Sequence, residues 1–272
     1  MPKPLHEHPL VPIAGFRSPE ALVTYLMHHF TYEEIARRSI GSTRHLDVGC
    51  NVGYGLPVLR DVVEDVTGVD VSPTAIAAAK QHLNGTDVSV QLIEEDGRLP
   101  FEDGSFATVS SCQVIEHVPD VPSFLAEIRR VLEPGGRAYF STPNGRLRLE
   151  PGFPPWNPEH LREYAPEELR RAIAEHFQVE AVLGLYATDA VEAVERARIA
   201  EARRGVRRIA VARRVARALL PTRVRTALRR LIGHDGASRS TVALPAFGTD
   251  AFRYEQGEID DALDLLVVCL AA

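Results

Sequence analysis

Long apolar runs are the first thing this sequence lacks. Its most apolar late stretch, "LDLLVVCLAA", is half of what a bilayer-spanning helix needs. The N-terminal "MPKPLHEHPLVPIAGF" contains four prolines and no charged-then-apolar signal, so the expected location is cytoplasmic. Cysteine is also scarce. Cys50, Cys112 and Cys269 are far apart and odd in number, which argues against a disulfide framework and fits a reducing compartment. The C-x-x-C spacing of zinc sites is absent. No internal repeat is apparent. What is present, 45% apolar and 25% charged residues over 272 positions, suits one α/β domain, 1–272, carrying an insertion.

Acidic residues are nearly missing from one segment. Arg196 to Arg230 holds thirteen arginines against the single acid Glu201, a charge of +12 that leaves −18 for the rest of a chain totalling −6. Apolar positions such as Ile209, Val215 and Leu219 alternate with Arg pairs, predicting an amphipathic basic helix broken at Gly205 and Pro221. Residues 188–250 therefore read as an inserted Arg-rich lid or attachment segment. The roles open to it are covering the acidic body, a dimer contact, an anionic substrate, or the inner face of a membrane through 196–230. Arginine this frequent excludes a spanning helix.

Residues 1–40 read as an extended arm followed by a helix from Ser18, where Ser-Pro-Glu gives an N-cap and first turn. Beyond it strands and helices alternate: "RHLDVG", "PVLRDVV", "DVTGVDV", "SPTAIAAAKQHL", "DVSVQLIEED", "SFATVSSCQ", "VPSFLAEIRRVL", "GRAYFSTP", "APEELRRAIAEHF", "QVEAVLGLYA" and the terminal "ALDLLVVCLA". Such alternation implies a largely parallel sheet with helices on both faces.

"HLDVGCNVGYG" turns the first strand into a helix, and glycines there let the backbone approach a ligand at a helix N-terminus. The dinucleotide pattern G-x-G-x-x-G needs glycine at 51 and 54, where Asn51 and Tyr54 stand. The spacing is instead Asp47-x-Gly49-x-Asn51-x-Gly53-x-Gly55. Asn51 tolerates left-handed backbone angles better than most residues. "VTGVDVS" ends the second strand at Asp70, placed to accept ribose hydroxyls. "EEDGRLPF" and "RVLEPGGRAYFSTPN" follow in order.

Together these stretches resemble class I S-adenosylmethionine (SAM) methyltransferases. The resemblance implies a three-layer Rossmann-like α/β sheet, order 3-2-1-4-5-7-6, with the last strand antiparallel. It implies SAM contacts from Tyr32, Asp47, Gly49, Cys50, Asn51, Gly53, Asp70, Val71, Asp96, Gly97, Arg98 and Gln113, with Asp96 at the adenine amine. "HHFTYEEIARR", "STPN" and "WNPEHLREYAPEEL" are similar to a bacterial branch acting on saccharides, including those of mycobacterial methylmannose polysaccharides. "VIEH" is similar to ubiquinone-biosynthesis O-methyltransferases. The expected activity is therefore methylation of a hydroxyl on a saccharide or glycosylated metabolite, with a phenolic or quinone-like acceptor as the alternative. A nucleic-acid methyltransferase or SAM-binding regulator is the less favoured alternative; base N-methylation has little support, because "CQVIEH" stands where the amino-methylating motif [D/N/S]-P-P-[Y/F] belongs.

In "CQVIEHVPD", Glu116 and His117 carry three open readings: residues that line the cofactor and close a turn, ligands for Mg²⁺, or a direct base. Gln113, where the ubiquinone-pathway relatives commonly have Glu, weakens the Mg²⁺ reading. His160, in the loop "WNPEHLREY", is the second catalytic candidate, with Trp156 available to stack on a sugar ring.

Overall fold

A computed structural model of the chain describes residues 16, 18–94, 96–219 and 247–271. Ser18 accepts from the N–H of Ala21 and opens helix α1 (Pro19–Arg38). Then come β1 (Arg44–Val48), α2 (Leu56–Arg60), β2 (Asp65–Asp70), α3 (Pro73–His82), β3 (Ser89–Leu92), β4 (Phe106–Cys112), α4 (Val121–Val131) and β5 (Leu132–Pro143). The second half holds α5 (Gly145–Arg148), α6 (Pro166–Ala174), β6 (Gln178–Ala187), α7 (Asp189–Leu219), β7 (Phe252–Glu255) and β8 (Asp264–Leu270). A short 3-10 turn, Ile115–His117, follows β4.

The strands form one sheet, β3-β2-β1-β4-β5-β8-β6-β7. The first five pair in parallel; β8 runs antiparallel to both β5 and β6. This is the expected order and antiparallel last strand, with one addition. β7 pairs antiparallel to β6 at the edge, and four residues with only Phe252 buried give no readable alternation.

Strand β8 shows how the two faces are filled. Leu265, Val267 and Cys269 join a core with Leu125 and Ile128 of α4 and Leu169 and Ile173 of α6. Leu266 and Val268 point the other way, into a core with Ile35 of α1, Leu56 of α2 and Ile76 of α3. A strand buried on both faces reads as a continuous apolar run, which is why "LLVVCL" looks as it does. Each such leucine contributes about 2–3 kcal/mol of burial.

The predicted break at Gly205 is not there: α7 runs through it without interruption. One glycine costs a helix only about 1 kcal/mol, and Glu201 pairs with Arg204 and Arg208 on either side of it. Pro221, the rest of the basic segment to 246, and the arm before Phe16 lie outside the described residues.

Candidate active site

The C-terminal ends of β1, β2, β3 and β4 share one edge of the sheet, with the chain reversing direction across the sheet between β1 and β4. Open α/β sheets present their ligand crevice at that point. Among the described residues, the two non-glycine residues with left-handed backbone both line it: Asn51 (φ 51°) and Gln113 (φ 57°). Such conformations cost about 1–3 kcal/mol each and cluster at functional sites.

The turn after β1 is shaped by close packing. Gly49 has φ 85°, and a Cβ there would stand 2.3 Å from Cγ2 of Val114. A Cβ on Gly55 would stand 2.4 Å from the Tyr32 ring. Asp70 ends β2 and holds the turn open, its Oδ2 accepting from the N–H of Asn51 (2.9 Å) and its Oδ1 from that of Ser72 (2.8 Å). Burial pushes its pKa up, and these backbone donors oppose the shift. After β3, Gly97 is left-handed, and exposed Asp96 accepts from the N–H of Arg98. Val71 is also exposed, whereas Cys50 is buried and can offer the crevice only its backbone.

Asp47 and Tyr32 sit one layer below. Asp47 is buried, and its two oxygens accept from Ser110 Oγ (2.6 Å) and Tyr32 OH (2.9 Å). Burial raises its pKa to about 6, against the pull of those two donors. Ser110 Oγ also meets His45 Nε2 at 2.8 Å, and His45 Nδ1 meets Thr108 Oγ1 at 2.8 Å. Because Ser110 gives its proton to Asp47, His45 must donate from Nε2 and accept at Nδ1. This fully satisfied chain anchors the turn from beneath.

On the far side of Gln113 lies a second buried cluster. Glu116 is fully buried; its Oε2 accepts from Thr142 Oγ1 (2.9 Å), and its Oε1 has no hydrogen-bond partner among the described residues. Burial lifts its pKa to about 7, with the His160 imidazole pulling the other way. Its backbone carbonyl accepts from the N–H groups of Leu161 and Arg162, docking the loop "WNPEHLREY" onto the end of β4. His117 Nδ1 donates to the Glu159 carbonyl (3.1 Å), and its ring meets that of His160 edge-on at 4.7 Å. His160 Nδ1 bonds Glu163 Oε1 at 2.8 Å. Ligand atoms of Glu116, His117 and His160 lie within 4.8 Å of one another.

The structure thus gathers Glu116, His117 and His160, expected from distant stretches of sequence, into one cluster. Gln113 is buried between the two halves, and its amide donates to Asp264 Oδ2. Several buried groups here were not expected. Glu163 is buried against His160 and Arg148. Thr142 and Asn144 belong to "STPN", and the Asn144 amide donates to the carbonyls of Ile259, Asp260 and Ala262, tying the approach to β8. Trp156 is already covered: the guanidiniums of Arg148 and Arg198 lie 4.4 and 5.8 Å from its ring centre, so it pins the loop.

Residues 46–140 match the model of a methyltransferase domain. A probable S-adenosylmethionine-dependent methyltransferase of Mycolicibacterium smegmatis is 34% identical over 182 residues, 65% of this chain and 69% of that one. One from Mycobacterium tuberculosis is 36% identical over 52% of this chain and 50% of its own. A ubiquinone biosynthesis O-methyltransferase of Thiobacillus denitrificans is 34% identical over 40% of this chain and 47% of its own. The chain therefore spans about half the length of the latter two. Among solved structures, an S-adenosylmethionine-dependent methyltransferase of Mesorhizobium loti superposes with a TM-score of 0.53 at 18% identity, over 87% of this chain and 96% of that one. The [4+2]-cyclase SpnF does so with a TM-score of 0.52 at 19% identity, over 89% and 80%. A cyclase on the same scaffold means that architecture alone does not name the reaction. The sequence relatives do so at the level of class, and this chain belongs to the S-adenosylmethionine-dependent methyltransferases.

Proposed function

We propose that the chain methylates a hydroxyl group of a small molecule, with a saccharide or glycosylated metabolite as the acceptor. The observation that carries the O-methylation reading is the buried cluster of Glu116, His117 and His160 beside the cofactor crevice. The residues fit the cofactor: left-handed turns at 49, 51 and 53 carry the backbone across the end of β1 with no side chain on Gly49 or Gly53, and Asp70 stands at the end of β2. Asp70 would hold the ribose, Asp96 with Gly97 and Arg98 the adenine side, and the 49–53 turn with Gln113 the remainder. Tyr32 and Asp47 would act through the turn they support. Bound SAM supplies an electrophilic methyl on a sulfonium that leaves by in-line displacement.

The remaining work falls to the protein. The acceptor oxygen must be aligned, and its proton must leave as the O–CH₃ bond forms and the S–CH₃ bond breaks. Sugar hydroxyls are very weak acids, so a site that methylates them needs groups acting directly on the O–H. The 116–117–160 cluster supports that role, with the loop carrying His160 docked on the Glu116 carbonyl. The similarity of 40% of the chain to a ubiquinone biosynthesis O-methyltransferase favours a second reading, a phenolic or quinone-like acceptor.

Transfer of labelled methyl from SAM to mono- and disaccharides, set against catechol-type acceptors, separates the two readings. His117→Ala should lower kcat by about 10²–10⁴-fold while SAM affinity stays near that of the parent. A His117→Ala enzyme with normal turnover would defeat the assigned role of the cluster.

The basic segment enters this reading as a brace. Arg196 pairs with Glu192 and Asp261, Arg198 with Glu195, Arg203 and Arg207 with Glu150, and Arg204 and Arg208 with Glu201. A contact with an anionic substrate or a membrane surface through 196–230 is the further role open to this segment. Among the described residues no helix is long and apolar enough to cross a membrane. Cosedimentation with anionic vesicles, against neutral ones, tests the surface contact.

A further inference from the structure

We propose that the acceptor carries an ammonium group, and that the buried carboxyls of Asp264 and Glu116 receive it. Glu116 follows β4, and Asp264 opens β8 opposite Pro143, the last residue of β5. Gln113 links the two places, its amide N–H reaching Asp264 Oδ2 at 3.1 Å. In the sheet, β4, β5 and β8 are successive neighbours on the side of β1 away from β2 and Asp70. Both carboxyls therefore lie beyond the cofactor turn, where an acceptor would meet the methyl group.

The buried charges around them do not balance. Arg148 of α5 meets Glu163 (3.5 Å), and Arg198 of α7 holds Glu195 by two bonds (2.5 and 2.8 Å). Each guanidinium thus has a carboxylate partner already, whereas no ion pair among the described residues reaches Glu116 or Asp264. Glu116 is fully buried and Asp264 is 2% exposed. Burial pushes the Asp264 pKa well up; Arg148 draws it back, while Glu195 and Glu116 add to the rise. The hydrogen bonding is short as well. Among the described residues Glu116 Oε1 has no partner, and Asp264 has the neutral Gln113 amide alone.

A buried carboxylate needs both its lone pairs and its charge answered. A hydroxyl answers only the first. An ammonium group brings three N–H donors and a positive charge together, and its bonds to carboxylates are charge-assisted. Because Glu116 adjoins His117, the amine would sit close to the hydroxyl that is methylated. Amino sugars and aminoalkyl phenols both offer that pair of groups. The inference rests on the acceptor site proposed above and narrows either acceptor reading to its cationic members.

The test compares acceptors that differ in the amine: glucosamine against glucose, and dopamine against 4-ethylcatechol. Binding is read by calorimetry on the full chain with S-adenosylhomocysteine bound, and methyl transfer from SAM is read as kcat/KM. In at least one pair the amine-bearing member should bind at least about tenfold more tightly and show the higher kcat/KM. Asp264→Asn and Glu116→Gln keep the shape of the side chain and should each reduce that ratio several-fold, Asp264→Asn through KM rather than kcat. SAM affinity should hold in Asp264→Asn. Equal binding within both pairs, or a ratio that survives Asp264→Asn, would overturn the proposal. Loss of SAM binding by folded Asp264→Asn chain would overturn it too, by assigning the carboxyl to the amine of the cofactor. Amine-dependent binding without methyl transfer would leave it standing and strike at the O-methyltransferase reading instead.

Discussion

Asp47 and His45 are neighbours on one short strand, and burial pushes their pKa values in opposite directions. Burial holds the His45 imidazole neutral down to about 3, from an ordinary value near 6.5. An unfolded chain takes up that proton below about 6.5, and the folded one does not. The stability that His45 contributes is therefore complete above pH 6.5 and is lost as pH falls toward 3, at about 1.4 kcal/mol per unit. Asp47, raised to about 6, works with the opposite sign between its unfolded value and 6, so the parent curve alone hides the effect. The difference in urea stability between the parent and His45→Gln isolates it. That difference should shift against the parent by about 2 kcal/mol between pH 7.5 and 5. A difference that does not move with pH would show that His45 is charged in the fold. At this scale the residue types were legible, and their partners were not. "HLDVG" shows an imidazole beside a carboxylate, but Ser110 and Tyr32 come from β4 and α1, and no local pattern announces them.

At the scale of elements, the turn after β1 was readable because its constraint is local. Positive φ at 49, 51 and 53 demands Gly, Asn and Gly, and the sequence carries them. Gly49→Ala meets both a left-handed backbone and Val114 Cγ2, so a loss on the order of 2–4 kcal/mol is expected. Thermal melts with and without SAM check this: the variant should melt lower and gain less from the cofactor. The loop from Asn157 to Glu163 was legible only as a loop with a histidine in it. Its docking on the Glu116 carbonyl depends on chain brought from more than forty residues away, and the burial of Glu163 on Arg148 of α5. β7 was invisible for a related reason, since a short edge strand has no face to alternate.

Over the whole molecule the segment 188–250 leaves and rejoins the sheet at one point. Ala187 of β6 pairs with Phe252 of β7, and the Thr188 N–H donates to the Ala251 carbonyl. A tight turn can therefore replace 189–250 without breaking the sheet. Val191 and Ile199 are buried, so the excised protein should melt lower, while SAM affinity stays close to that of the full chain. Loss of SAM binding in a folded excised chain, judged by circular dichroism, would mean that the insertion completes the cofactor site. Excision also leaves an acidic body whose charge the segment now offsets, since Arg203 and Arg207 meet Glu150 from across the fold.

The sequence by itself determined the alternation of strands and helices and the left-handed turn after β1, because periodicity, caps and left-handed positions are local demands that residue types must meet; the strand order followed only from the resemblance to a known family. The basic segment was also written there, as charge. Only the tertiary structure decided that Glu116, His117 and His160 meet, that Gln113 turns from them toward Asp264, and that the described arginines of α7 are paired with acids. Those outcomes depend on which buried polar groups find partners across the fold, and burial is a property of the packed chain.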